Sequence, residues 1–173
     1  MNLKYFDLSE FDSPDVIGSG KEMNIQFLKM IEFARLWVEE NNNKLGRPRV
    51  VFPISSGYRT EMHNKAVGGV KYSSHLKGRA ADILYSTPHE RDTILIACAF
   101  AGFQRFGISK YFIHIDNDTD KPPCIWYYES VKIRKLNLLY SFVKMRNKGI
   151  HTNSINSWKE LELQLKNDIK NYD

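Results

Sequence analysis

The chain has 173 residues, of which 42% are hydrophobic and 26% charged, with a formal net charge of +5. That composition fits one folded domain with a real core and room for an appendage. No apolar run approaches the roughly 18 residues of a membrane-spanning helix, and two cysteines, Cys98 and Cys124, do not make a disulfide framework.

The charge is unevenly placed. Residues 1–129 carry 16 Lys and Arg against 16 Asp and Glu, whereas residues 130–173 carry 9 against 4. The excess in the tail suits an anionic partner such as cell-wall polymer, a membrane surface or nucleic acid, or else a solvated helical face. No groove-reading motif accompanies it, which ranks nucleic acid last. The opening Met1–Asp7 lacks the apolar stretch of a signal peptide. The expectation is synthesis in the cytoplasm, or export by another route.

In chain order, Phe11-Asp12-Ser13-Pro14-Asp15 reads as a turn, and Ser19 with Glu22 as a capping box that opens a helix running to about Glu40. Met23, Phe27, Ile31, Ala34 and Val38 give that helix an apolar stripe. Asn41-Asn42-Asn43 and Gly46-Arg47-Pro48 break it. Residues 49–54 read as a strand leading into Ser55-Ser56-Gly57-Tyr58-Arg59, and residues 60–67 as a short helix ended by Gly68-Gly69. A second strand follows at 80–85. Thr87-Pro88-His89-Glu90 then supplies an N-cap, a proline at the first helical position and a capping-box glutamate, and Gly102 ends that helix. Strands are expected at 103–109 and 111–116, joined as a hairpin, with a last one near 125–128. Two helical patterns, 132–148 and 157–172, complete the chain. Residues 1–129 therefore read as an α+β core, a small antiparallel sheet flanked by helices, and residues 130–173 as a basic helical extension.

The chemistry concentrates in Ser73-Ser74-His75-Leu76-Lys77-Gly78-Arg79-Ala80-Ala81-Asp82 and in Phe112-Ile113-His114-Ile115-Asp116. Small residues between His75 and Asp82 leave space for backbone to close around an ion, and Gly78 permits a tight turn. Asp82 lies in an apolar strand, where a carboxylate needs compensation. His114 lies in another. Two imidazoles and one carboxylate are a ligand set for a catalytic zinc, which keeps a fourth position open. Period-two alternation puts Asp116 on the same face as His114, either as a general base or as a group orienting a ligand imidazole. Arg59 follows a strand end and suits a substrate carboxylate or a developing oxyanion; its spacing alone favours an ordinary surface arginine.

At these residues the chain resembles the zinc D,D-carboxypeptidase and endolysin family, whose fold is shared with the hedgehog signalling domain and the D-Ala-D-Ala dipeptidases. The likeness rests on Ser56-Gly57-Tyr58-Arg59, on Ser73-x-His75-x-x-Gly78-x-Ala80-x-Asp82, and on His114-x-Asp116, in the family's order. It covers residues 4–128. The Phe11–Pro14 opening and His63-Asn64 are most similar to the small phage and bacterial C-terminal peptidase branch. The resemblance implies zinc held by His75, Asp82 and His114, Arg59 polarising the scissile carbonyl or holding a terminal carboxylate, and Tyr58 and Ser73 near the substrate. It implies hydrolysis of an amide in peptidoglycan stem peptides, by a carboxypeptidase or an endopeptidase. One departure stands out. Many members place an acidic general base three residues before the last zinc histidine, and Tyr111 occupies that position here. The departure motivates a second reading, a zinc-containing module that binds cell-wall peptide with impaired turnover.

Overall fold

The computed structural model describes residues 3–128. Within them three α-helices and a five-stranded sheet make an α+β fold, with strand order β1-β2-β4-β3-β5. Helix α1 spans Ile25–Leu45, α2 Glu61–Ala66 and α3 Pro88–Ala101; the strands are β1 Ile54–Ser56, β2 Ala80–Leu84, β3 Arg105–Ile108, β4 Phe112–Asp116 and β5 Cys124–Tyr127. The expected helical extension at 130–173 lies outside the described residues.

Helix α1 starts later than the sequence suggests. Residues Ser19–Glu22 form only a 3-10 turn, and the N-cap is Asn24, whose side chain accepts from the amides of Gln26 and Phe27. The Ser19 hydroxyl is already committed: it donates to the Val16 carbonyl and accepts from the Ser13 amide. The helix also runs through Asn41–Asn43 and stops at Gly46, which adopts φ +61. The stripe itself is as expected, with Met23, Phe27, Ile31, Ala34 and Val38 all buried. Helix α3 carries the Thr87/Glu90 capping box and ends at Gly102, as its residues indicate.

The sheet departs from the expectation in two places. The first strand is short, because residues 49–53 hold Pro53 and only Ile54–Ser56 pair with β2. The last strand runs parallel to β3 within an otherwise antiparallel sheet. Both β3 and β5 begin at the end where β4 finishes, since Arg105 aligns with Asp116 and with Cys124. A chain leaving β4 and crossing to the outer side of β3 must therefore run in β3's direction.

Strand alternation divides the sheet into two faces. Ala81, Ile83, Phe106, Ile108, Ile113 and Ile115 lie in the buried core with α1 and α3. Phe27 meets Phe103 edge-on at 5.3 Å between ring centroids, and Trp37 stacks on Phe100 at 4.8 Å. The opposite face carries the functional residues.

Candidate metal centre

One row of residues crosses the whole sheet. Ser56, Asp82, His114, Gly107 and Trp126 are successive neighbours on β1, β2, β4, β3 and β5. Ser56 reaches this row through a bulge, because Ile54 pairs with Ile83 and Ser56 already with Asp82. An extra residue in one strand re-aims the side chains beyond it, here setting Ser56 opposite Asp82, with its hydroxyl accepting from Arg59 Nε. His75 comes from outside the sheet. It sits on the 3-10 turn Ser74–Lys77, capped by Ser73 and closed by Gly78 at φ +62. A Cβ at Gly78 would lie 2.3 Å from the Glu22 carbonyl oxygen, so this turn needs glycine for both its conformation and its close packing.

Three donor atoms converge. His75 Nε2 lies 3.2 Å from His114 Nδ1 and 3.4 Å from Asp82 Oδ1, and His114 Nδ1 lies 2.9 Å from Asp82 Oδ1. All three residues are buried. Their outer partners decide the tautomers. The Gly57 carbonyl can only accept, so His75 Nδ1, 2.6 Å away, carries the proton. Asp116 Oδ2 accepts from His114 Nε2 at 3.1 Å. Both inner nitrogens then present lone pairs towards a carboxylate oxygen, an arrangement that calls for a cation at its centre. Ligand atoms bound at about 2.0–2.1 Å to a four-coordinate zinc stand about 3.3 Å apart, close to the edges of this triangle. The residues present fit zinc.

Carboxylate and imidazole charges compensate one another across the triangle. Burial works against a charged Asp82, but its bonds to His114 and His75 outweigh that and hold the carboxyl well below the usual carboxylate range. Burial also disfavours a charged His114, yet Asp116 and Asp82 overcome it and raise its pKa. Burial dominates at His75 and lowers its pKa, which favours the neutral form that a metal requires.

Arg59 is beside the triangle. It donates from Nη2 to Asp82 Oδ2 at 2.7 Å and from Nε to Ser56 Oγ at 2.8 Å. Among the described residues no hydrogen bond ends on its Nη1. Tyr58 is half-buried against the core, its amide bonded to the Phe11 carbonyl. The Ser73 hydroxyl is buried and accepts from the His75 amide at 3.3 Å, so it serves the turn. Asp116 is 1% exposed. Its oxygens take His114 Nε2, Arg105 Nε at 2.9 Å and the Asp118 amide at 3.1 Å, all across the imidazole from Asp82. Asp116 thus stands behind His114, bonded to its outer nitrogen. Tyr111 lies on the β3–β4 turn and is 61% exposed.

A family model described as Peptidase M15 matches residues 9–116. The chain belongs to the Peptidase M15 family. The matched segment holds the His75–Asp82–His114 cluster, and this M15 chain is a zinc-dependent metallopeptidase. No curated protein matches it.

Trp126 is the residue that sequence reasoning missed in this M15 site. Its indole lies over Gly107 and packs on His114 at 5.3 Å between centroids. Arg105 sits over the same ring at 5.4 Å, and Tyr128 flanks it at 6.2 Å. The signal was present as a tryptophan alternating with core residues on an expected strand, but its place in the row depends on β5 joining β3.

Proposed function

We propose that this M15 peptidase hydrolyses an amide bond in peptidoglycan stem peptides, as a D,D-carboxypeptidase or a lysin-like endopeptidase. The observation that carries the reading is the triangle of His75, Asp82 and His114 with Arg59 bound to the same carboxylate. Support for a cell-wall substrate comes from the resemblance across Ser56–Arg59, Ser73–Asp82 and His114–Asp116. Zinc, when bound, supplies a Lewis acid for the scissile carbonyl and lowers the pKa of a bound water towards neutrality.

The chain's own residues do the rest. Gly57 and Asp116 hold the protons of the outer imidazole nitrogens and so keep both lone pairs directed inward. Arg59, fixed by Ser56 and Asp82, directs Nη1 to a substrate carbonyl or terminal carboxylate. Tyr58 is assigned to the rim beside it. Trp126 and the half-exposed Tyr128 form an aromatic wall along which the peptide lies. Residues 1–129 act as the peptidase unit, and the basic residues 130–173 as a contact for anionic wall polymer.

The experiment is digestion of purified murein followed by mass analysis of the muropeptides. Cleaved stem peptides should appear, vanish with a zinc chelator and return with zinc. Peptide cleavage with murein left intact would sink the substrate assignment. Zinc and muropeptide binding without any product would favour the binding-module reading, which the exposed Tyr111 and the committed Asp116 carboxylate motivate.

A further inference from the structure

The loop after β4 reads Asp116-Asn117-Asp118-Thr119-Asp120, an alternation of carboxylates that suits a divalent cation. Here protein cations already fill it. Arg105 takes Asp116, while Lys77 bonds to both oxygens of Asp118 at 3.0 Å and to Asp120 at 2.9 Å. Lys121 stands 3.3 Å from Asp118 and donates to Ser74 Oγ at 2.8 Å and to the Tyr72 carbonyl at 2.7 Å. The Asp118 side chain is 1% exposed, unusually buried for a surface loop.

Its connections run to both halves of the metal centre. Its backbone N–H donates to Asp116 Oδ1 at 3.1 Å, and Asp116 holds His114. Its carboxylate accepts from Ser74 Oγ at 3.0 Å, and Ser74 directly precedes His75. We propose that Asp118 is a positioning residue that ties the His75 turn to the strand bearing His114, so that the two imidazoles present their lone pairs to one metal ion. This rests on the zinc reading of the site. The turn has other anchors, notably the Gly57 carbonyl on His75 and the Arg59 amide on the His75 carbonyl. The expected effect is therefore graded. Outer-shell partners of metal ligands are typically worth about 10–100-fold in affinity, and Asp118 acts one bond further out.

The test is competition for zinc between the full chain and a chromophoric chelator, beside the visible spectrum of the cobalt-loaded protein. Asp118→Asn should bind zinc about tenfold more weakly and change the cobalt bands. Ser74→Ala, which removes one hydrogen bond of the tie, should weaken zinc binding severalfold. Asp120→Asn, altering an exposed partner of Lys77 alone, should leave both readouts at wild type. A merely structural role would lower the unfolding temperature and leave the affinity and spectrum of the folded protein unchanged; that result overturns the proposal. If Asp118→Asn does not fold, Ser74→Ala decides, and wild-type zinc affinity there overturns it equally. A wild-type chain that takes up no zinc would instead remove the metal centre itself.

Discussion

Asp82 and His114 stand directly opposite each other on β2 and β4, with Asp82 Oδ1 2.9 Å from His114 Nδ1. Neither strand is adjacent to the other in sequence, and the pair exists only because β4 returns beside β2. Strand pairing thus sets two of the three ligands side by side, and metal binding should feed back on stability.

Zinc should therefore raise the unfolding temperature. A ligand that binds only the folded state at 100 times its Kd adds about 2.7 kcal/mol. His75→Ala and Asp82→Asn should each abolish the zinc-dependent part of the shift. Thermal unfolding with and without zinc measures it; an equal rise in the His75→Ala protein would count against the assigned ligands.

Substitution of Arg59 should separate chemistry from metal binding. Its guanidinium bridges Ser56 and Asp82 through two different nitrogens, a fork that lysine cannot reproduce. Arg59→Ala should lower kcat/KM on a muropeptide by about 100-fold or more, the scale of one lost transition-state donor. Zinc should still bind. Arg59→Lys should not restore the rate. Steady-state kinetics beside metal analysis checks this, and a wild-type rate in Arg59→Ala would refute the role.

Gly107 is small because Trp126 covers it. A Cβ there would fall 2.6 Å from the indole, with no favourable direction to move because the ring also packs on His114. Gly107→Ala should destabilise the fold by about 1–3 kcal/mol, the usual cost of overpacking. Trp126→Ala in the same chain should recover part of that loss, so the two changes should be non-additive. Denaturant unfolding of the double-mutant cycle provides the number.

Acid should loosen the Asp118 tie. Burial pushes its carboxyl up, but Lys77, Ser74 and Lys121 outweigh that and hold it at about 2, against an unfolded value of 3.8. A depressed pKa stabilises the fold at pH above the unfolded value, and the gain is lost as pH falls through about 4 towards 2. The contribution near neutrality is on the order of 2 kcal/mol. The stability gap between wild type and Asp118→Asn should be widest near pH 7 and should shrink steadily over that acid range. A gap independent of pH would contradict the ion pairing.

Much of this was legible along the chain. Thr87, Pro88 and Glu90 announce α3 because a cap is satisfied within four residues. Met23 to Val38 announce the buried face of α1 through their spacing alone. The same local reasoning misplaced the start of α1, since Ser19 has the chemistry of a cap but spends its hydroxyl on Ser13 and Val16. It also could not choose between two roles for Asp116, because the partners of that carboxylate, Arg105 and the Asp118 amide, depend on the β3–β4 pairing and the turn beyond it.

By itself the sequence determined the ligand types, the glycine turn between His75 and Asp82, and the face on which His114 and Asp116 both lie. These depend on side-chain chemistry and on a strand's period of two. Only the tertiary structure decided that Ser56, Asp82, His114, Gly107 and Trp126 form one row, that Arg59 binds the Asp82 carboxylate, and that Asp118 bonds to both Ser74 and Asp116. Each of those depends on register between strands distant in the chain, which is set by burying one face of the sheet against α1 and α3 and by a single bulge in β1.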